Sequence, residues 1–211
     1  MSLLLAGVTT VGLLAGCSNS ENGGGGGTDS GGSRDSINIA TMSETPSLSP
    51  WDHNATAGSY MNLLTYNTLF RTDMEMNPVP DLVEDYENIS ESEWEFTIKT
   101  GVKFHDGSEM TVEDVKASLE WAKTFPEVSL YNSDIVSVDI VDDDTIKITT
   151  PGPDAMLLSN LCHHGNAIVP KALIDSGHDF NTEPIGTGPY MLKEYVPGSS
   201  VTLVANENFW M

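Results

Sequence analysis

His105-Asp106 and His163-His164 carry the side chains in this chain best suited to metal ligation. Imidazole nitrogens and carboxylate oxygens both bind zinc, but a structural zinc site closes with four ligands, usually at short fixed spacings. Here the two pairs lie far apart, no His-Glu-x-x-His run occurs and no thiolate pair is available, so a metal centre is not expected. The run Gly186-Thr187-Gly188-Pro189 has glycines like those of a phosphate-cradling loop. It lacks the Lys-Ser/Thr pair that contacts phosphates, and Pro189 removes a backbone donor, so a structural turn is the better reading. No Gly-x-Ser-x-Gly elbow raises a serine nucleophile. Acidic residues are so common that any two carboxylates look paired by chance. The sequence therefore yields no catalytic residue in a role, no metal ligand and no cofactor, and an enzyme is not expected.

Aromatic side chains in polar loops make a different case. Trp51 and His53 lie in a Ser- and Pro-rich segment, residues 43–54, and Tyr131 sits among Ser and Asn residues. Stacking faces beside hydrogen-bonding groups suit capture of a small ligand. The Trp51 indole could equally cover the edge of the domain, because indoles are usually at least partly buried.

The elements that must position these loops can be read from periodicity. Residues 36–41 alternate Ile37, Ile39 and polar neighbours as a half-buried strand does, and residues 55–67 read as a helix with Met61, Leu64 and Thr68 on one face. Leu69-Phe70 then passes through Asp73 into a turn at Pro78 and Pro80. Trp94, Phe96 and Ile98 alternate as a strand, and Asp106-Gly107 tolerates the positive φ of a reversal. Thr111 and Asp114 have the spacing of a capping box, opening a helix over residues 112–123 with Val112, Val115, Leu119 and Ala122 in one stripe. Val136, Val138 and Ile140 turn through three aspartates into Ile146 and Ile148, which predicts a hairpin. Residues 155–161 and 171–176 read as short helices flanking an extended Ile168-Val169-Pro170, and Pro197-Gly198 joins the strands of a second hairpin. The mixed order predicts an α/β or α+β fold.

Composition bounds the function. Thirty-one Asp and Glu against nine Lys and Arg give a formal charge of −22, which disfavours nucleic-acid and anionic-lipid partners. Residues 1–16 form an uncharged apolar stretch too short to span a bilayer as a helix, but suited to the apolar part of a secretory signal. Leu14-Ala15-Gly16-Cys17 resembles the bacterial lipobox, which implies a lipid on Cys17 and an anchor on the extracytoplasmic face of a membrane. Such signals open with Lys or Arg, whereas the first basic residue here is Arg34, as if the start were placed a few residues late. Residues 17–36 hold five consecutive glycines and read as a flexible tether. Lipidation leaves Cys162 unpaired, better read as a small buried hydrophobe than as a reactive thiol.

A set of ordered runs carries a family resemblance. These are Pro46-Ser47-Leu48-Ser49-Pro50, Tyr66-Asn67-Thr68-Leu69-Phe70, Pro78-Val79-Pro80-Asp81-Leu82, Gly101-Val102-Lys103-Phe104-His105-Asp106-Gly107, Pro184-Ile185-Gly186-Thr187-Gly188-Pro189-Tyr190 and Asn206-Glu207-Asn208-Phe209-Trp210. Together they are similar to the family-5 extracellular solute-binding proteins of ABC importers. The resemblance implies the first lobe only of a type II periplasmic-binding-protein-like fold. Residues 37–70 would begin the lobe's core, 71–170 would form an inserted subdomain, and 171–211 would return to the core, with the second lobe absent. It implies a monomeric protein that captures a peptide, a related small solute or a nickel chelate and delivers it to a permease and ATPase. By analogy the ligand contacts fall on Trp51, His53, Asn54, Tyr131, His163 and Asn166. The alternatives are a surface lipoprotein that senses peptides or acts as an adhesin or chaperone, and an exported hydrolase, for which no nucleophile or metal site is apparent.

Overall fold

The computed structural model describes residues 36–211, so the signal, Cys17 and nearly all of the tether lie outside the described residues. Residues 40–211 form one unit. Its first helix, α1 (Thr56–Thr65), ends where Tyr66 turns extended. The face it buries is Gly58, Asn62 and Thr65, while Tyr60 and Leu63 are exposed. The apolar stripe expected through Met61 and Leu64 is only half-buried. Small and polar side chains turn inward instead, because α1 packs against an imidazole and a glycine-rich loop that need close approach and hydrogen-bond partners.

Strands β1 (Phe70–Thr72) and β2 (Pro78–Pro80) form an antiparallel ribbon. The reversal lies at residues 73–77, where Asp73 Oδ1 accepts hydrogen bonds from the backbone amides of Glu75 (2.9 Å) and Asn77 (2.8 Å). Pro78 and Pro80, expected in a turn, are strand residues. A two-stranded ribbon consists of edges, and edges tolerate proline.

The larger sheet is antiparallel and comprises β3 (Val83–Ser90), β4 (Glu93–Ile98), β5 (Ser137–Ile140) and β6 (Thr145–Thr149), in the order β3-β4-β6-β5. Helix α2 (Val112–Ala122) packs against this sheet as its stripe predicts. Val112, Val115 and Leu119 join Phe96, Ile98, Val138, Ile146 and Ile148 in the main core. Each such side chain contributes about 1.5–3 kcal/mol when fully buried. The Asp114 carboxylate opens the helix: one oxygen accepts from the Thr111 amide (2.9 Å) and hydroxyl (2.8 Å). Its other oxygen takes the Lys171 amide at 2.7 Å, tying α2 to the start of a later helix.

After the short α3 (Leu157–Asn160), residues 168–170 run buried without strand pairing. Helix α4 (Lys171–Ser176) ends on Gly177 at φ 70°. The chain closes with the expected hairpin of β7 (Tyr190–Val196) and β8 (Ser200–Ala205), turned through Gly198 at φ 73°. Among the described residues the strand expected at residues 36–41 does not form and no strand pairs with it: Ile37 and Ile39 are 82% and 73% exposed. Alternation specifies a strand only where a sheet edge offers its backbone a partner.

One buried amide joins these pieces. Asn67 Nδ2 donates to Asp81 Oδ2 (2.9 Å), and its Oδ1 accepts from Thr187 Oγ1 (3.0 Å) and Trp210 Nε1 (3.4 Å). Its backbone carbonyl accepts from the Ile168 amide at 3.1 Å. Around it, Gly188 donates its amide to the Thr65 carbonyl at 3.0 Å. A Cβ on Gly186 or Gly188 would come within 2.4 or 2.5 Å of Thr65 backbone atoms, so both glycines are needed for close approach.

Replacing Asn67 by Leu strands the Asp81 carboxylate, only 4% exposed, without its amide donor. The expected cost is about 3 kcal/mol, read as a fall in Tm of roughly 6–12 °C by circular dichroism.

Candidate functional site

The residues singled out by sequence separate into a surface cluster and its buried support. Trp51 belongs to neither. It is 1% exposed, stacked on Phe125 (centroids 5.5 Å apart, 19° between planes) and met edge-on by Phe180 (5.2 Å, 88°). The reading of Trp51 as an exposed stacking face is therefore corrected: the indole anchors the second core with Tyr66, Val128 and Val169. Successive serine turns roll it inward, as the Ser47 hydroxyl accepts from the Ser49 amide and the Ser49 hydroxyl from the Trp51 amide.

His53 follows and is also buried, at 5% exposure. Its Nδ1 accepts from the Ala55 amide at 3.3 Å. Its ring fills the space above Gly58, where a Cβ would lie 2.0 Å from Cε1. The ring stacks with His164 at 5.6 Å, and the His164 Nε2–H donates to the His53 carbonyl at 3.3 Å. Ser59 of α1 places its hydroxyl 3.4 Å from His164 Nδ1, and Asn62 lies 3.5 Å from His53 Nε2. Neither Ser59 nor Asn62 was expected here. Their signal was the placement of two polar residues at helical spacing, three apart, in the middle of the helix.

Asn54, Tyr131 and His163 meet at the surface. Asn54 Nδ2 donates to the Tyr131 hydroxyl at 3.2 Å, and Asn54 Oδ1 lies 3.3 Å from His163 Nε2. The Tyr131 ring lies flat on the His163 imidazole, with centroids 3.5 Å apart and 12° between planes. His163 also packs against His164, with centroids 4.1 Å apart and the rings tilted by 35°. Behind it, the Gly165 amide donates to His163 Nδ1 at 3.0 Å within a 3-10 turn, His164–Asn166. A Cβ on Gly165 would lie 2.6 Å from Val128, so the turn seats tightly on the second core. Asn166 is fully buried, donating Nδ2 to the Asn160 carbonyl at 2.8 Å. It supports the turn from beneath and does not reach the surface cluster.

All three histidines are held neutral. Burial pushes His163 down to about 3, helped by its histidine neighbours. Burial likewise lowers His53 against the opposing charge of Asp52, and lowers His164 against its hydrogen bond to the His53 carbonyl.

The remaining chemical candidates have structural occupations. His105 clasps the glycine loop: its Nδ1 accepts from the Gly186 amide (3.3 Å) and its Nε2–H donates to the Gly188 carbonyl (3.0 Å). Both ring nitrogens are thereby used. Cys162 is half-buried against the main core, donates to the Leu158 carbonyl at 3.3 Å, and has its thiol pushed up by burial. Among the described residues no group of three or more His, Cys, Asp and Glu side chains is arranged to hold a metal, because the three imidazoles stack rather than converge. No helix among them is long and apolar enough to cross a membrane. Surface concavities of about 250 Å³ beside residues 41–45 and 195–201, and of about 480 Å³ beside Lys99 and Trp210, hold none of the surface cluster. Asn54 is exposed and Tyr131 and His163 are partly so, and the cluster thus faces solvent.

The family described as bacterial extracellular solute-binding proteins, family 5 middle, is matched over residues 77–211. A glutathione-binding protein GsiB of Salmonella choleraesuis is 32% identical over 179 residues, covering 82% of this chain and 35% of that protein. Among solved structures, a nickel ABC transporter protein of Bacillus halodurans is 31% identical with a TM-score of 0.68, over 80% of this chain and 34% of that one. The oligopeptide-binding protein AppA of Bacillus subtilis, solved with a nonapeptide, is 25% identical with a TM-score of 0.71, over 80% and 36%. The chain spans about a third of the length of these relatives.

The neutral histidines set an acid limit. An unfolded imidazole gains its proton near about pH 6.5, while the folded rings resist it, so acid favours the unfolded chain. Their contribution is complete above that pH and is lost on acidification toward about 3 for His163, with a slope of up to about 1.4 kcal/mol per pH unit per histidine. Thermal melts between pH 7 and pH 5 are expected to show a falling Tm, and His163→Gln, which cannot take the proton, a shallower fall.

Proposed function

The chain belongs to the bacterial extracellular solute-binding proteins of family 5, and from that premise we propose that the complete protein captures a small solute outside the cytoplasm and delivers it to the permease and ATPase of an ABC importer. It is a monomeric binder rather than a catalyst. The observation that carries the reading is the Asn54–Tyr131–His163 cluster, open to solvent on one side and locked from behind by buried histidines. These three residues are our proposed ligand contacts. His53, His164 and Asn166 serve as their support, and Trp51 as the core anchor of the loop that presents Asn54.

The relatives' names suggest the solute class, since they mention glutathione, a nonapeptide and nickel. A peptide-type solute or a nickel chelate fits a face made of amide, phenol and neutral imidazole. In the two-lobed reading, residues 37–70 and 171–211 build the core of one lobe and 71–170 the insert that carries the four-stranded sheet. Closure of a partner lobe over the solute would shift the population toward the form that the permease engages, by as much as the solute's differential affinity allows. The glycine leash and a lipid on Cys17 would keep that domain beside the permease, two acyl chains holding where one would exchange.

The complete protein, titrated calorimetrically with glutathione, with peptides of two to nine residues and with nickel-histidine, is expected to bind at least one of them with Kd near about 1 μM, a binding energy of about 8 kcal/mol. No affinity tighter than millimolar across the panel would sink the reading. Cys17→Ser is expected to move the protein from the membrane to the soluble fraction. If it stays membrane-bound, the anchor lies elsewhere.

A further inference from the structure

The hydrogen-bond polarity of the surface cluster is set by one atom whose role is not in question. A backbone N–H can only donate, so the Gly165 amide, 3.0 Å from His163 Nδ1, makes that nitrogen an acceptor. The neutral ring then carries its proton on Nε2. That proton faces Asn54 at 3.3 Å, so the Asn54 atom there must be the amide oxygen. Fixing the oxygen fixes the rest of the amide: Nδ2 points to the Tyr131 hydroxyl at 3.2 Å and donates to it. The phenol oxygen is thereby used as an acceptor, and its own proton is turned away from Asn54. Among the described residues the Tyr131 hydroxyl donates to no protein acceptor, and Asn54 is exposed, leaving its second amide proton facing solvent.

We infer that Tyr131 O–H and the free N–H of Asn54 form a paired donor that reads an acceptor oxygen of the solute, a carbonyl or a carboxylate. The inference rests on the solute-capturing reading and adds the sign of its recognition: the two unused protons of this face favour acceptor groups. Burial keeps His163 from gaining a second proton that would place a charge in the relay. The flat stack on His163 holds the phenol ring, so the donor is aimed before any solute arrives. Preorganisation of this kind lowers the ordering cost of binding.

The test uses small probes of one polarity on the 211-residue chain, followed by NMR at the Asn54 side-chain amide and the Tyr131 ring. N,N-dimethylacetamide offers only a carbonyl acceptor, acetate a carboxylate, and methylammonium only donors. The expected result is a saturable shift with dimethylacetamide or acetate, whichever source the site prefers, at least tenfold weaker in Tyr131→Phe and at least tenfold weaker with methylammonium. A methylammonium shift as strong as that of the acceptor probes, an acceptor response that survives Tyr131→Phe, or no response to any probe overturns the proposal. Nitrogen-15 shifts of His163 in the unaltered chain provide an independent reading, with the proton expected on Nε2. A proton on Nδ1 breaks the relay whatever the variant does. If the acceptor probes bind while the calorimetric panel on the complete protein fails, solute capture falls and the donor pair stands. If a peptide binds with no dependence on Tyr131, the donor pair falls and solute capture stands.

Discussion

The amide of Asn67 is the constraint on which the other contacts depend. At 8% exposure it must find its partners inside the protein, and it finds them on residues 81, 187 and 210, with its own backbone holding residue 168. A satisfied hydrogen bond contributes only about 0.5–1.5 kcal/mol net, whereas a buried group left unsatisfied costs about 1–3 kcal/mol. The arrangement works less as glue than as a condition. Alternative packings that separate any of those segments leave a polar atom stranded. The glycine loop meets the same condition sterically, because it can lie against the end of α1 only where no Cβ intervenes.

The candidate site inherits its precision from that junction. Once the end of α1 is fixed, Gly58, Ser59 and Asn62 are fixed along it, and with them the floor on which His53 and His164 stack. His163 lies on that stack and Tyr131 lies on His163. The surface groups therefore rest on successive rings: His53 is seated by the Ala55 amide and the bare Cα of Gly58, His164 by the His53 carbonyl, and His163 by the Gly165 amide.

The sequence was legible wherever structure is decided locally. The Thr111–Asp114 cap, the α2 stripe and the β7–β8 hairpin each follow from residues within a turn or two of each other, and each formed as the spacing implied. Strand β3 was not legible, since beyond Val83 its residues are exposed and three of them, Glu84, Asp85 and Glu87, are acidic; it exists because β4 offers it an edge. The converse holds for residues 36–41, whose alternation was clear and which pair with no strand among the described residues. In the site, residue types were informative and burial was not. Trp51 and Tyr131 look alike as aromatics in polar loops, yet one faces Phe125 and Phe180 and the other a histidine at the surface, a difference made by chain segments far away in sequence.

The clasp of His105 on the glycine loop has a consequence for the order in which the molecule can come into being. Its hydrogen bonds span 81 and 83 residues. Contacts of such reach must overcome the entropy of closing a long loop before they return any stability, which makes topologies rich in them slow to fold. A chain emerging from its N-terminus can wind α2 and pair β5 with β6 early, but the clasp has no counterpart until residues 186–188 have been made. Until then the end of α1 lacks the glycine loop against which it is seated, and the unfinished polypeptide remains easily threaded.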